Sequence, residues 1–368
     1  MLYYIGSHLT KYLGPARLLQ SYAVLIILAL YTGFIVTKSF LPKFYNILPH
    51  DRGRDFTLSK EASKGKPTGA GIVFVSFFIL FTFIFAPFNL YLTIFLALTW
   101  LMMITGYLDD RSEKGWGEYI KAFLDLLICV TAAFLLSKYL KETQSYFYTE
   151  KFGTVTEKEK LYFWFPFVRN PVAVPSWLYI IITTVMLWVS VNTTNCTDGV
   201  DGLSSSLVLI ALFTMGTILY IFIGHVNFAD YLNIPFFKDG ACWAIATFCF
   251  AGVVMGYLWH NAFPSSVLMG DAGSRALGFY IGLCVMLSGN ILLFLATSSI
   301  IFINGGMGLL KVALKRFLHI SIFEKVRFPL HDHMRKNRGW SPTQVLIKFM
   351  MMQVLITIAM LAIFFKIR

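Results

Sequence analysis

The sequence predicts an all-α protein that crosses a membrane about ten times. Three observations carry that expectation. Of 368 residues, 57% are hydrophobic and only 14% are charged, which is too little charge for an ordinary soluble domain. Segments 18–37, 67–108, 170–197, 202–229, 240–270 and 276–310 contain no Asp, Glu, Lys or Arg. A soluble chain of this length has no core large enough to bury so many runs.

One span takes about 20 apolar residues, and the elements follow in order. Segment 18–37 is one span. It is too long for a signal-peptide core and lacks a small-residue cleavage site, so it reads as a retained helix. Segment 67–108 holds two spans, turning at Pro87-Phe88-Asn89. Segment 122–137, interrupted only by Asp125, is the fourth. Segments 170–197, 202–229 and 240–270 are the fifth to seventh. Segment 276–310, with the residues just before it, holds two more, broken at Gly289-Asn290. Segment 339–365, with Lys348 alone, is the last. No internal repeat, lipidation motif or separate soluble domain is visible, so residues 1–368 read as a single integral membrane domain. The long 141–175 loop between the fourth and fifth spans is expected to carry a short hairpin. The cysteines Cys129, Cys196, Cys242, Cys249 and Cys284 lack metal spacing and read as reduced, unpaired residues.

Polar residues gather in four clusters, each after an odd-numbered span: Asp109-Asp110, Asn195 to Gly202, Asn261 to Asp271, and His331-Asp332-His333. If each segment crosses once, all four lie on one face. The loops on that face also hold most of the basic residues behind the net charge of +12. Positive loops stay in the cytoplasm, which places the clusters inside and both termini outside. The excess suits topology, an anionic lipid surface and phosphate groups. Nothing in the pattern points to a nucleic-acid partner.

Each cluster has a chemical reading. Asp109 and Asp110 end a helix about 100° apart, so one is expected to face a site while the other pairs with a base. Asn195, Asp198 and Asp201 recur every three residues, which on a helical turn stacks them along one face; Gly199 and Gly202 let a ligand approach. Gly270-Asp271 opens a helix, where a carboxylate is either an N-cap or a Mg²⁺ ligand bridging phosphate oxygens. Asp271 is the first choice for a metal ligand. His331-Asp332-His333 sits among Arg and Lys, which suits phosphate contact better than zinc. The Gly65 to Gly71 loop lacks P-loop spacing and reads as a basic lid. Lys121 and Asp125, one turn apart, are expected to pair with each other, with Asp125 structural and Lys121 able to turn toward the site.

Together, Leu108-Asp109-Asp110, Asn195 to Gly202, Met269-Gly270-Asp271-Ala272-Gly273-Ser274 and Pro329-Leu330-His331-Asp332-His333 resemble the polyprenyl-phosphate N-acetylhexosamine-1-phosphate transferase superfamily. Within it they are most similar to the phospho-N-acetylmuramoyl-pentapeptide transferases, bacterial enzymes that make lipid I. The similarity covers nearly the whole chain. It implies a multi-pass protein of the bacterial cytoplasmic membrane. In the implied reaction, undecaprenyl phosphate attacks the β-phosphate of UDP-N-acetylmuramoyl-pentapeptide and UMP leaves. Mg²⁺ is the cofactor, and a homodimer is the implied assembly. Direct attack and a covalent aspartyl intermediate both stay open.

Carried over by position, Asp271 coordinates Mg²⁺ and Asp109 deprotonates or orients the lipid phosphate, with Asp110 in support. Asn195, Asp198 and His331 line the phosphate and metal region, with His331 counted among the catalytic residues and His333 among those that bind substrate. Gly199, Val200, Asp201 and Asn261 approach the uridine, and Thr68 belongs to the loop at the site. This chain departs from the pattern in four places. Asp332 replaces the middle of three histidines. The loop lysine aligns with Ser63, leaving Lys64 or Lys66 to substitute. A base-stacking aromatic aligns with Leu268. A shortened loop leaves Lys121 as the match for another lysine. Two other functions are compatible with the composition. A sister enzyme transferring N-acetylglucosamine-1-phosphate has nearly the same core site. A cation-coupled transporter carries its carboxylates near mid-membrane, whereas here only Asp125 lies deep.

Overall fold

The computed structural model describes residues 1–51, 53, 63–113, 115–152, 160–168, 171–232 and 234–366; the side chains of residues 144–152, 160 and 366 lie outside that description. In chain order the helices are α1 (Leu2–Leu9), α2 (Tyr22–Phe40), α3 (Gly71–Phe85), α4 (Leu90–Arg111) and α5 (Glu118–Phe152). After a hairpin of β1 (Lys160–Phe163) and β2 (Val172–Pro175) come α6 (Ser176–Thr197), α7 (Leu203–Thr217) and the short α8 (Val226–Tyr231). Then follow α9 (Gly240–Asn261), α10 (Gly270–Leu287), α11 (Leu293–Ile301), α12 (Met307–Phe317), α13 (Leu330–Arg338) and α14 (Pro342–Lys366). The chain is an all-α polytopic membrane protein. Among the described residues, 8 helices are long and apolar enough to cross a membrane, counting α11 and α12 as one. The other two expected segments are present as α3, 15 residues long, and α10, 18 residues long.

Local signals set the boundaries. Asn89 caps α4 by accepting a hydrogen bond from the Leu92 N–H at 2.9 Å, which makes the expected turn at Pro87-Phe88-Asn89. The expected hairpin in the 141–175 loop exists, with Leu161 opposite Val174. It docks through the Trp164 indole N–H, which donates to Ser288 O at 2.7 Å. The break near Gly289-Asn290 falls between α10 and α11. A second break was not expected: a π-helical turn over Phe302–Gly306 separates α11 from α12.

At the centre is α10, in which every residue from Asp271 to Leu287 is buried. It packs against α4, α6, α3 and α7. In lipid, close backbone approach replaces the hydrophobic effect as the driving force. Gly278 and Gly282 provide it toward α6, where the Ser190 hydroxyl donates to Gly278 O at 2.6 Å. Gly252 and Gly256 do the same for α9 against Leu30 and Phe34 of α2. A Cβ at Gly252 would lie 2.1 Å from Leu30 O.

All five cysteines are unpaired, as expected, and four of them are buried. Met1 and the end of α14 at Phe365 sit at the end of the bundle remote from the polar clusters. The N-terminal ammonium donates to Phe83 O at 3.0 Å, and Phe365 stacks on Phe222.

Candidate functional site

Three of the four polar clusters line a cleft of about 1000 Å³ at one end of the bundle, and the fourth, His331-Asp332-His333, lies behind its wall. The cleft floor is built where α4 meets the start of α10. Gly106 allows this meeting, since a Cβ there would lie 2.5 Å from the Asp271 carbonyl carbon. Asp109 and Asp110 then take different jobs, as their angular separation predicts. The Asp110 carboxylate accepts the backbone N–H groups of Asp271 and Ala272, both at 3.0 Å. A carboxylate from α4 therefore caps α10, and Asp271 is released from capping its own helix. Gly270, at φ +68, makes room for that carboxylate.

Asp109 is buried and accepts the Trp116 N–H at 2.6 Å. It also pairs with Lys121. The same Lys121 ammonium reaches Asp271 Oδ2 at 3.3 Å. Two carboxylates from different helices thus share one cation at the cleft floor. The expected pairing of Lys121 with Asp125 is not found; Asp125 pairs with Arg275 of α10 instead. An opposite charge across the helix interface competes with the one a turn away, and here it wins.

The second cluster also needs a correction. Asn195, Asp198 and Asp201 do not stack along one helical face, because α6 ends at Thr197 and Asp198 leaves helical geometry at φ −81, ψ 67. The residues fan out instead. Asn195 donates to Ser274 Oγ at 3.2 Å, tying α6 to the start of α10. Asp198, Gly199 and Val200 line the cleft. Asp201 accepts the Ser265 N–H at 3.0 Å and pairs with Lys66 at 3.6 Å. Lys66 also donates to Ser265 Oγ, so it fastens the 65–71 loop to the site. Lys64 is exposed and does not line the cleft. Ser63, Thr68 and Leu268 do. Asn261 borders the cleft, but its side chain is engaged in holding the wall together. It accepts from the Gly202 N–H at 3.0 Å and donates to Val267 O at 2.9 Å.

His331 and His333 do not line the cleft. The His331 ring lies behind Gly199, where a Cβ would sit 2.4 Å from Nε2. Asn304, missed in the sequence, decides its chemistry. The backbone N–H of His331 can only donate, so the atom 2.8 Å away is the Asn304 carboxamide oxygen. That same oxygen lies 3.1 Å from Nδ1, so Nδ1 carries the proton and Nε2 is the acceptor. Burial, with Arg335 adding to it, pushes the His331 pKa down to about 3. The ring is therefore neutral, and its 3.7 Å approach to Asp332 is not an ion pair. The π-helical turn carries Asn304 to this position. An amide before Gly305-Gly306, deep in a charge-free apolar run, was the signal available.

The neutral imidazole has a consequence for stability. The folded pKa lies below the unfolded value near 6.5, so the unfolded chain binds the extra proton between those values. Stability is complete above about pH 6.5 and falls as pH drops toward 3. At pH 5 the loss from this one group is about 2 kcal/mol. The thermal midpoint in detergent should therefore decline less between pH 7 and 5 in His331→Gln than in the parent. Equal declines would show that His331 is not the buried group responsible.

With this geometry in view, kinship is informative. Residues 92–289 match the Glycosyl transferase family 4 model, a span that includes most of the cleft. The phospho-N-acetylmuramoyl-pentapeptide-transferase of Treponema pallidum is 52% identical over 362 residues, covering 98% of this chain and 95% of that protein. This chain belongs to the phospho-N-acetylmuramoyl-pentapeptide-transferase family. Family members of the same name from Gemmatimonas aurantiaca and Nautilia profundicola are 30% and 26% identical, covering 98% and 96% of the chain. They cover 99% and 96% of those relatives. Membership makes the chain an enzyme, a glycosyl-1-phosphate transferase, held in a bacterial membrane by its apolar helices.

Proposed function

We propose that this enzyme transfers phospho-N-acetylmuramoyl-pentapeptide from UDP to undecaprenyl phosphate, giving lipid I and UMP, with Mg²⁺ as cofactor. The observation that carries this reading is the pair of carboxylates, Asp109 and Asp271, converging on one cation position at the floor of a wide cleft. A phosphoryl transfer needs charge neutralised on the phosphates and the attacking oxygen held in line. In the balanced step, a lipid phosphate oxygen forms a bond to the donor's β-phosphorus. The bond from that phosphorus to the bridging oxygen breaks, and UMP leaves with the electron pair.

The donor set fits Mg²⁺. Among the described residues no group of three or more His, Cys, Asp or Glu is arranged to hold a metal. Mg²⁺ sites of this class use one or two carboxylates and complete their shell with water and substrate phosphates. Asp271 would hold the ion, which when bound neutralises diphosphate charge and makes UMP a better leaving group. The ammonium of Lys121 already satisfies both carboxylates there, so the position favours positive charge. Asp109, buried and oriented by the Trp116 N–H, is placed to accept or steer a proton of the lipid phosphate. Lys121 offers its charge to the same phosphates. Asp110 keeps Asp271 in place through the backbone. Asp198, Gly199 and Val200 form the wall available to the nucleotide.

The deciding assay uses purified protein, Mg²⁺ and undecaprenyl phosphate, with UDP-N-acetylmuramoyl-pentapeptide or UDP-N-acetylglucosamine as donor. UMP release is expected from the first and essentially none from the second. The donors share uridine and diphosphate, so selection falls to the basic loops at residues 43–71 and 311–340, which attract the pentapeptide carboxylates. Efficient transfer from UDP-N-acetylglucosamine alone would move the chain to the sister activity.

The same reading puts the cleft on the cytoplasmic side and both termini outside, on the positive-inside bias of the loops. Phe88, exposed at the remote end, and Asn337, exposed at the cleft end, test it. In a cysteine-free background, Phe88→Cys should label with an impermeant maleimide in intact cells and Asn337→Cys only after lysis. The reverse pattern would overturn the orientation.

A further inference from the structure

Below the cleft floor lies a second charged pair that the proposed reaction does not use. Lys121 and Asp125 stand one turn apart on α5, and Asp271 and Arg275 one turn apart on α10. Each charge therefore has two oppositely charged candidates, one on its own helix and one across the interface. The structure selects the cross-helix partners throughout, so Lys121 meets Asp271 and Asp125 meets Arg275. The result is a ladder of two rungs with opposite polarity. The upper rung opens to the cleft. In the lower one both side chains are 3% exposed.

Stability does not explain the lower rung. Two of the guanidinium nitrogens of Arg275, Nε and Nη1, are buried and have no hydrogen-bond partner among the described residues. A buried ion pair this poorly satisfied is commonly no more stable than two apolar side chains of the same volume, and charge within a membrane span is costly. What the rung does is occupy Asp125. Lys121 has the one lysine or arginine side chain among the described residues lining the cleft. An unoccupied Asp125, one turn deeper on the same helix, is well placed to compete for it.

We propose that Arg275 is a positioning residue: by holding Asp125 across the interface, it leaves Lys121 on the Asp109 and Asp271 carboxylates. This rests on the transferase reading of the site. It adds that the working geometry depends on a residue whose side chain is committed to Asp125, below the cleft floor, rather than to the floor itself. Asp125 is the potential competitor, and the lower rung keeps it engaged.

The test is a set of variants assayed for UMP release, with functional sites counted by UMP binding in titration calorimetry. Arg275→Met frees Asp125 and should lower kcat per binding site by at least ~10-fold, since an ångström of misplacement suffices for that, with little change in donor KM. Adding Asp125→Asn removes the competitor and should restore kcat per site to within about threefold of the parent. Arg275→Lys keeps the pairing charge and should retain kcat per site. A merely structural role predicts fewer sites but the same kcat per site in every folded variant, and that result would overturn the proposal. So would Arg275→Met/Asp125→Asn remaining as slow as Arg275→Met. If Arg275→Met does not fold, Arg275→Gln, which still donates to Asp125 without neutralising it, replaces it with the same expected loss and recovery. Absence of UMP release in the parent protein would instead count against the transferase reading itself.

Discussion

Asp271→Asn should lower UMP release by at least about 1,000-fold while leaving the protein folded. The substitution changes no volume and leaves the backbone N–H of residue 271 bonded to Asp110. The start of α10 therefore keeps its cap, and the thermal midpoint in detergent should move by only a few degrees. What disappears is the charge that, with Asp109, holds a cation at the cleft floor. Lys121 then has a single carboxylate partner on that floor, and the proposed Mg²⁺ ligand is lost. Turnover within tenfold of the parent, at saturating donor and Mg²⁺, would remove Asp271 from its assigned role.

Gly270→Ala should be comparably severe for a different reason. Gly270 sits at φ +68, where a Cβ costs about 1–2 kcal/mol by itself. That Cβ would also lie 2.2 Å from Asp110 Oδ2, the carboxylate capping α10. Asp110 cannot yield without uncapping the Asp271 and Ala272 amides, so strain and cap loss add to about 3 kcal/mol or more. Gly65→Ala is the internal control. Its φ is +84, but among the described residues nothing lies within 4 Å of the added carbon, so it should show the backbone penalty alone. Equal losses in midpoint and transfer rate for the two variants would mean that the Asp110 cap is not what Gly270 protects.

The residues that matter in these experiments were legible to different degrees. The spans, their order and the turn at Asn89 could be read directly, because span length and capping are local properties of the chain. Counting spans then placed Asp109, Asp198, Asp271 and the 261–271 loop at one end, and the structure brings them to one cleft. The separate jobs of Asp109 and Asp110 followed from helical geometry, although which residue did which did not. Asn304 was overlooked because nothing local distinguishes it from a structural amide; its role exists only once a π-helical turn carries it to His331.

By itself, then, the sequence determined that this is an all-α membrane protein with four clusters of polar residues on one face, and the combination of motifs pointed to the transferase family. The tertiary structure alone decided who pairs with whom. Lys121 and Asp125 were a sound pair on their own helix, but Arg275 stands opposite Asp125, and Asp109 and Asp271 stand opposite Lys121. Asp201 left the helical face its spacing suggested once α6 stopped at Thr197. Hydropathy is a sum over neighbours in the chain, and composition preserves it. An ion pair is a contest between candidates at similar distances, decided by how closely α4, α5 and α10 approach one another, and residue spacing within one helix carries no record of that approach.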